Sequence, residues 1–320
     1  MDILVVGSIA LDHIETPFGS RQGALGGACT YFAAAASLYA PVHIVGVVGT
    51  DFPQVHIEFF RSRQIDLRGL QVMPGKTFRW AGRYGRDLAD AETLATELNV
   101  FGDFHPVIPE DLRHVPYVFL ANIDPELQIE ILSQMHAPRL VALDSMNYWM
   151  IHKREALAHA IAKVQVGLLN ESEVRMFSGE ENLVRGVRAI LSLGPRALIV
   201  KRGEYGAMLI VSQGQEMDPL MIPAFPVENV VDPTGAGDTF AAGFMGYLAK
   251  TGDLSISGLR RAVVHGALVA SFTVQAFSID RLRSLTLADI EERYAAFRWM
   301  THFDLLSETE ENRLSRSLWA

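Results

Sequence analysis

The chain has 320 residues, of which 49% are hydrophobic and 20% are charged, and its formal net charge at pH 7 is −9. This composition can bury a large core, and no apolar run reaches the ~18 residues that a membrane-spanning helix needs. The negative charge argues against a nucleic-acid surface, which requires clustered Lys and Arg, but it permits a local anion site. The single cysteine, Cys29, excludes an intrachain disulfide and a cysteine-based zinc cluster.

The ten histidines show no H-x-x-x-H or H-E-x-x-H spacing. We therefore expect no metal site built from protein ligands alone. The chain starts with Met1-Asp2, an acid where a secretory leader would carry Lys or Arg, and continues as a buried strand. We expect a cytoplasmic protein that binds neither nucleic acid nor membrane.

Short runs rich in Val, Ile and Leu alternate with amphipathic or Ala-rich segments along the chain. Nearly continuous apolar runs are typical of strands buried on both faces of a parallel sheet. The predicted strands are residues 3–6, 43–48, 117–121, 140–143, 166–169 and 197–200. The predicted helices are residues 28–39, 54–63, 126–135, 155–163, 183–193, 235–250, 256–274 and 287–300. This alternation predicts a doubly wound α/β architecture.

Two segments interrupt the alternation. Residues 9–16 continue outward from the first strand, and residues 76–100 look like a β-hairpin. We expect them to form a small sheet at the edge of the core that serves as a lid. One face of the hairpin could close over a substrate, although a solvated face or a dimer contact explains the same strand-like alternation of Arg79, Trp80, Arg83 and Tyr84.

No linker or internal repeat divides the chain, so we expect a single domain over residues 1–320. The polar tail after about Phe303 is expected to be loosely held.

The segment Asp232-Pro233-Thr234-Gly235-Ala236-Gly237-Asp238 precedes a long run of small and apolar residues. Glycines at a loop-to-helix junction let backbone N–H groups approach a ligand without interference from Cβ atoms. The helix start leaves these N–H groups unpaired and carries the positive end of the helix dipole. The segment therefore predicts an anion hole suited to a phosphoryl group in transfer. Asp238, in the first turn, could accept the proton of an attacking hydroxyl as a general base, and helix capping is its alternative role.

The longer string from Asp232 to Phe240 closely resembles the C-terminal signature of the ribokinase (PfkB-type) family of carbohydrate and nucleoside kinases. The resemblance covers residues 2–298 and implies a three-layer α/β/α sandwich with a central, mostly parallel sheet and a small β-sheet lid. It also implies transfer of a phosphoryl group from ATP to a hydroxyl of a small sugar or nucleoside. Mg²⁺ would assist and, in parts of the family, a monovalent cation such as K⁺ binds near Asp232.

On the acceptor side, the string Gly7-Ser8-Ile9-Ala10-Leu11-Asp12 resembles the end of the family's first strand. Asp12 stands where the family has the aspartate that holds substrate hydroxyls. A carboxylate can accept hydrogen bonds from two neighbouring hydroxyls, although a turn aspartate is the alternative. Gly26 and Gly27 resemble the family's Gly-Gly motif, which lies against the substrate, and a tight turn is their other explanation. Tyr31 stands where family members often carry Asn. The remaining predicted acceptor residues are Arg79 and Asn122.

On the nucleotide side, Asn170-Glu171-Ser172-Glu173 matches the family's N-x-x-E motif. Asn170 and Glu173 would lie near the ATP phosphates, with Glu173 contacting Mg²⁺ through water, and ordinary helix capping is the alternative. The string from Lys201 to Ala207 resembles the G-x-x-G turn beside ATP. Gly203 and Gly206 would shape that turn and Lys201 would reach phosphate oxygens, whereas a plain β-turn with a solvated Lys is the alternative.

Two further positions are less specific. His265 matches a family position that lines the adenine pocket, although a lone His on an Ala-rich helix is more often a packed core residue. Asp144 and Asn147 resemble the D-x-x-N segment of several sugar-kinase branches and could position phosphates or metal-bound waters, or simply form a turn.

Several alternatives stay open at this point. Tyr31 and the aromatic, Arg-bearing lid make the chain resemble nucleoside kinases more than ribokinase itself. A sugar-acid kinase of the keto-deoxy-gluconate type, a hexose kinase and an inactive ligand-binding regulator are the other readings. A nicotinamide oxidoreductase is disfavoured because no G-x-G-x-x-G follows the first strand, and a P-loop kinase because no G-x-x-x-x-G-K-[ST] is present. An exposed hairpin could also pair with a twofold mate, which would give a homodimer through the lid.

Overall fold

The computed structural model describes residues 1–214 and 216–302. The tail from Phe303, predicted above to be loosely held, lies outside the described residues. No helix within the two described ranges is long and apolar enough to cross a membrane.

The strands of the described chain form two sheets. They are β1 (Ile3–Val6), β2 (Ala10–Thr16), β3 (Gly19–Gly26), β4 (Val42–Gly49), β5 (Asp66–Met73), β6 (Arg79–Tyr84), β7 (Ala91–Glu97), β8 (Tyr117–Leu120), β9 (Leu140–Asp144), β10 (Val166–Asn170), β11 (Ala197–Lys201), β12 (Ala207–Gln213) and β13 (Glu216–Ile222). The helices are α1 (Ala28–Ala36), α2 (Gln54–Ser62), α3 (Pro125–Gln134), α4 (Asn147–His152), α5 (Arg154–Ile161), α6 (Glu171–Ser178), α7 (Leu183–Leu191), α8 (Ala236–Thr251), α9 (Ile256–Thr273), α10 (Asp280–Ser284) and α11 (Leu287–Thr301).

The large sheet has the strand order β13-β12-β11-β10-β9-β8-β1-β4-β5. The seven strands from β11 to β5 are parallel, and β12 and β13 extend the sheet in antiparallel fashion. At its centre, Ile3 of β1 lies between Val42 of β4 and Tyr117 of β8. All eight residues of β4 are buried, as expected for a strand covered on both faces. The predicted mostly parallel sheet is confirmed.

Helices cover both faces of this sheet and enclose two apolar cores. One core packs α1, α8, α9 and α11 against the sheet, and the other packs α3, α5, α6 and α7 against the opposite face. Gly243 and Gly266 let α8 and α9 approach closely. A Cβ atom at Gly243 would lie 2.6 Å from the carbonyl oxygen of His265, and one at Gly266 would lie 2.8 Å from that of Phe240. This three-layer arrangement is the predicted α/β/α sandwich.

The small sheet has the order β3-β2-β6-β7. Strands β2 and β3 are antiparallel, β2 and β6 are parallel, and β6 and β7 are antiparallel. The segments predicted as a lid therefore lie in one sheet. The prediction missed β3, whose sequence GSRQGALG is exposed over its first five residues and carries no apolar alternation.

The sequence also left three strands of the large sheet unassigned, namely β5, β12 and β13. β5 and β13 are the edge strands of the sheet, and their residues are only partly buried. Edge strands need no continuous apolar run, and β13 even contains Pro219, which edge positions tolerate. β12 and β13 each pair in antiparallel fashion with the strand that precedes them in the chain, whereas β5 pairs in parallel with β4 across helix α2.

Candidate active site

The predicted site residues meet at the carboxyl edge of the large sheet. Asp144, Asn170 and Lys201 are the last residues of β9, β10 and β11, which are neighbours in the sheet. Because parallel strands end at the same edge, these three side chains are brought together from separate parts of the sequence. The amino terminus of α8 joins them there.

Helix α8 begins with an uncapped glycine. Gly235 is its N-cap residue with φ 77° in the left-handed region, and no side chain caps the helix. A Cβ atom at this position would lie 2.3 Å from the ring of Tyr31, so the site needs glycine for space as well as for conformation. The first N–H groups of the helix have no intrahelical partner by geometry. The Ala236 N–H donates to the Pro233 carbonyl at 3.1 Å, so of the three predicted residues it is Gly235 and Gly237 whose N–H groups are left for an anion.

Asp238 lies in the first turn of α8 and is partly buried. Burial, followed by the negative charge of Asp144, raises the pKa of Asp238 to about 7 against the opposing charge of Lys201. A carboxylate whose pKa is close to the working pH is well suited to accept and release a proton. Its ionisation therefore depends first on burial and then on two charges that the strands β9 and β11 supply.

Asp12 lies in β2 with only 3% of its surface exposed. Its Oδ1 atom is buried and has no hydrogen-bond partner among the described residues. Burial, and then the charge of Asp232, raise the pKa of Asp12 to about 8. A Cβ atom at Gly26 would lie 1.8 Å from Asp12 Oδ2, so this glycine leaves the room that the carboxylate occupies. An unsatisfied buried acceptor of this kind fits the hydroxyl groups of a ligand.

Tyr31 is buried at 1% exposure, and its hydroxyl has no hydrogen-bond partner among the described residues. Its ring packs against Gly235 and so supports the start of α8. Burial, and then the charges of Asp232 and Asp12, raise the pKa of the Tyr31 hydroxyl well above its ordinary value. The sequence assigned Tyr31 to the acceptor alone and did not reveal this contact with the anion hole.

The other two predicted acceptor residues are held by neighbours. The Arg79 guanidinium donates to Asp51 Oδ2 at 2.8 Å, and the Asn122 Oδ1 atom accepts from Trp149 Nε1 at 3.0 Å. A different lid residue reaches the anion hole: Tyr84 Oη accepts a hydrogen bond from Thr234 Oγ1 at 3.1 Å. The alternating run in the hairpin is the only sequence signal that could have indicated this contact.

On the nucleotide side, Asn170 and Glu173 form a reciprocal cap of α6. Asn170 Oδ1 accepts from the Glu173 N–H at 2.8 Å, and Glu173 Oε2 accepts from the Asn170 N–H at 2.7 Å. The capping alternative is thus part of the structure. Burial raises the pKa of Glu173 to about 7, although Lys201 opposes the shift.

The Lys201 ammonium pairs with Asp144 Oδ2 at 2.7 Å, and a Cβ atom at Gly237 would lie 3.1 Å from its Nζ atom. Gly203 and Gly206 bracket a short 3-10 turn directly after β11, in which the Arg202 N–H donates to the Gly206 carbonyl at 2.9 Å. The predicted nucleotide-side loop therefore starts where Lys201 meets α8.

Two predicted residues have other surroundings. The His265 ring stacks on Tyr247 and Tyr294, with centroids 4.4 and 5.2 Å away, and its Nδ1 atom lies 3.1 Å from Tyr39 Oη. Tyr247 and Tyr294 are only partly buried and line a surface cavity together with His265, and burial lowers the pKa of His265 to about 4. Its place beside the adenine stays a prediction. Asp232 is fully buried, and its two oxygens accept the N–H groups of Thr234 and Ser278 at 2.9 and 3.0 Å.

The raised carboxyl pKa values have a consequence for stability. Folded Asp12 and Asp238 keep protons up to about pH 8 and pH 7, whereas in the unfolded chain they lose them near pH 3.8. Between these limits the folded state binds more protons, so the free energy of unfolding falls as pH rises. Without ligands, we expect the melting temperature to drop between pH 5 and 8. Calorimetry should show a shallower drop for a variant with Asp12→Asn and Asp238→Asn, and equal slopes would contradict the assignment.

Comparison with known proteins identifies the family. The family model described as pfkB family carbohydrate kinase matches residues 2–281. The chain belongs to the pfkB family of carbohydrate kinases. It is therefore a phosphotransferase with an alcohol group as acceptor, and the predicted ribokinase-type resemblance is confirmed.

Individual proteins that are similar to this chain add detail. Cytidine kinase from Thermococcus kodakarensis is 31% identical over 251 residues, which cover 77% of this chain and 87% of that protein. A nucleoside kinase from Burkholderia thailandensis in complex with inosine has a TM-score of 0.74 at 21% identity, covering 92% of this chain and 98% of that chain. Aminoimidazole riboside kinase from Salmonella enterica, complexed with aminoimidazole riboside and an ATP analogue, has a TM-score of 0.70 at 19% identity, covering 92% and 99%. The two structures show that the fold is shared.

Proposed function

We propose that this pfkB-family kinase transfers the γ-phosphoryl group of ATP to a hydroxyl of a nucleoside, with Asp238 as the general base. The observation that carries the proposal is the uncapped start of α8, where Gly235 and Gly237 leave open N–H groups and Asp238 occupies the first turn. The lysine next to Gly237 adds a positive charge to the same place. An anion hole with a base beside it is what phosphoryl transfer to an alcohol requires.

The choice of a nucleoside acceptor has separate support. The relative that shares 31% identity is named a cytidine kinase, and two proteins with this fold are a nucleoside kinase bound to inosine and a riboside kinase. Asp12 supplies an unsatisfied carboxylate oxygen for ribose hydroxyls. A pyrimidine nucleoside is thus the first acceptor to test, ahead of the keto-deoxy-gluconate and hexose alternatives.

The residues divide the work as follows. Asp12 binds neighbouring hydroxyls of the acceptor and fixes the ring, so that the reacting hydroxyl faces the phosphoryl group. Asp238 accepts the proton of that hydroxyl as its oxygen attacks phosphorus and the bond to the leaving ADP oxygen breaks. The N–H groups of Gly235 and Gly237 bind the charge that develops on the equatorial phosphoryl oxygens.

The small sheet is proposed to act as a lid within a single kinase domain. Tyr84 on β6 already contacts Thr234 of the anion-hole loop. A sheet tied to this loop can exclude water from the transferred group and so limit hydrolysis of ATP. Its two edge strands, β3 and β7, are largely exposed and would offer the surface for the predicted homodimer. Dimerisation and a cytoplasmic location stay predictions.

The donor groups fit a hydrated Mg²⁺ ion. No group of three His, Cys, Asp or Glu side chains in the described ranges could cage a metal. Mg²⁺ takes few protein ligands and keeps its waters and the nucleotide phosphates, so Glu173 beside the site could hold it through water. When bound, it would offset phosphate charge. A monovalent cation at Asp232 stays a prediction. Each carboxylate oxygen of Asp232 already accepts one backbone N–H group.

The proposal is tested by measuring ADP formation with ATP, Mg²⁺ and a panel of acceptors. Cytidine and other ribonucleosides should be phosphorylated with higher kcat/KM than pentoses, hexoses or 2-keto-3-deoxygluconate. Product analysis should show a nucleoside monophosphate. A sugar or sugar acid as the best acceptor would overturn the nucleoside assignment but keep the phosphotransferase. Turnover with none of them would favour a ligand-binding regulator on this fold.

A further inference from the structure

A buried ion pair lies beside the anion hole. The side chains of Lys201 and Asp144 are only 17% and 6% exposed, and Nζ and Oδ2 are 2.7 Å apart. The two residues end β11 and β9, so the pair reaches across the end of β10. Burying two charges has a desolvation cost that their attraction often fails to exceed. Fold stability alone therefore gives a weak reason for the pair, and its position suggests another.

The carboxylate of Asp144 is fixed on every side. Its Oδ1 atom accepts the N–H of Ser145 at 2.9 Å, its Oδ2 atom accepts from Lys201, and its main-chain carbonyl accepts from Gln128 Nε2 at 3.1 Å. A rigid acceptor of this kind holds the ammonium group in one place. The lysine side chain is thereby held at the end of β11 and does not extend into solvent.

The place where the ammonium is held is the start of α8. A Cβ atom at Gly237 would lie 3.1 Å from Lys201 Nζ and 3.8 Å from Cδ and Cε, so the lysine runs directly along the first turn. An ammonium group has three N–H donors, and Asp144 takes one. The remaining two donors lie on an ammonium group that is next to Gly237 in the first turn of α8.

We propose that Asp144 is a positioning residue that holds Lys201 as the side-chain cation of the anion hole, where its ammonium contacts the transferred phosphoryl group. The inference rests on the proposed phosphoryl transfer with Asp238 as the base. It does not depend on which alcohol is the acceptor.

The charges around Asp238 make the pKa of this residue a readout of the Lys201–Asp144 pair. Asp144 raises and Lys201 lowers the pKa of Asp238, after the effect of burial. Burial opposes the charge on Lys201, but Asp144, Glu173 and Asp238 together raise its pKa. The other titratable groups that sense the site from neighbouring elements are Asp12, Cys29, Tyr31, Asp90 and Asp232.

Two single variants test the pair, measured with whichever acceptor the wild-type enzyme uses. Lys201→Met should lower kcat by about 10²-fold or more, as for loss of one donor to a developing charge. Asp144→Asn should lower kcat by up to about 10²-fold through misplacement of the lysine. The acid limb of kcat against pH, which reports the enzyme with acceptor bound to Asp12, should move in opposite directions by about one unit in the two variants. Loss of the cation shifts it to higher pH, and loss of the anion shifts it to lower pH.

The double variant and a neighbouring pair serve as controls. Asp144→Asn combined with Lys201→Met removes one charge of each sign, so its acid limb should return close to the wild-type position while kcat stays low. The adjacent Arg202 pairs with Glu171 at 2.8 Å, and both of these side chains are more exposed. Glu171→Gln should leave both kcat and the acid limb unchanged.

Thermal melting and Lys201→Arg separate function from folding. Lys201→Arg keeps the charge and should retain the wild-type acid limb even if its melting temperature falls. Wild-type kcat and pH profiles in both single variants, or shifts of the same sign, would overturn the proposal. If Asp238→Asn were fully active, the base assignment itself would fail; if only that variant were inactive, the inference would fail and the proposed function would stand.

Discussion

Asp238→Asn is expected to reduce kcat by roughly 10² to 10⁴, the range that general-base catalysis contributes, while ATP binds with its wild-type affinity. Asparagine has nearly the same size but cannot take up the proton of the attacking hydroxyl. The open N–H groups at the start of α8 are backbone groups, so the substitution leaves the anion hole in place. Burst kinetics and ATP titration would measure the two effects separately.

A matched substitution controls for the loss of a negative charge. Asp103 is exposed and lies outside the site, so Asp103→Asn should have wild-type kinetics. Near-normal kcat in Asp238→Asn would refute the base assignment. A large loss of ATP affinity instead would place Asp238 on the nucleotide.

Asp12→Ala is expected to raise the KM of the acceptor by about 10- to 100-fold, as for loss of hydrogen bonds to a charged group, with little effect on ATP. The buried Oδ1 atom of Asp12 has no hydrogen-bond partner among residues 1–214 and 216–302, so the acceptor is the group that would satisfy it. Because the pKa of Asp12 is about 8, acceptor binding should also strengthen as pH rises through that value, where the carboxylate can accept two hydroxyls. In the Ala variant this pH dependence should be lost.

Deoxynucleosides turn this prediction into a double-mutant cycle. The wild-type enzyme should discriminate against the 2′- or 3′-deoxy form of its acceptor, whereas Asp12→Ala should treat the two forms alike if Asp12 binds that hydroxyl. Discrimination that persists in the variant would show that another residue reads the ribose. Equal losses for acceptor and ATP would show that the acceptor site lies elsewhere.

The parts of the fold that were predictable are those with local signals. The strands at residues 3–6, 43–48 and 117–121 are continuous apolar runs, and the helix starting at residue 235 follows a glycine-rich string, so each follows from its own sequence. Edge strands such as β3 and β13 have no such signal, because many of their residues are exposed. Backbone pairing with the neighbouring strands β2 and β12 holds them in their sheets. The site shows the same contrast between residues with and without a local signal. Asp238 was recognisable from its neighbours along the chain.

The amino-acid sequence by itself determined the family and the parallel sheet, and it predicted Asp238 as the base beside a glycine-rich hole, because these depend on residues adjacent in the chain. Only the tertiary structure decided that Lys201 meets Asp144 and Gly237, that Tyr31 supports Gly235, and that His265 lies among tyrosines. Those contacts join segments tens of residues or more apart. Burial and charge at such junctions also set the ionisation of Asp12 and Asp238, which no local pattern encodes.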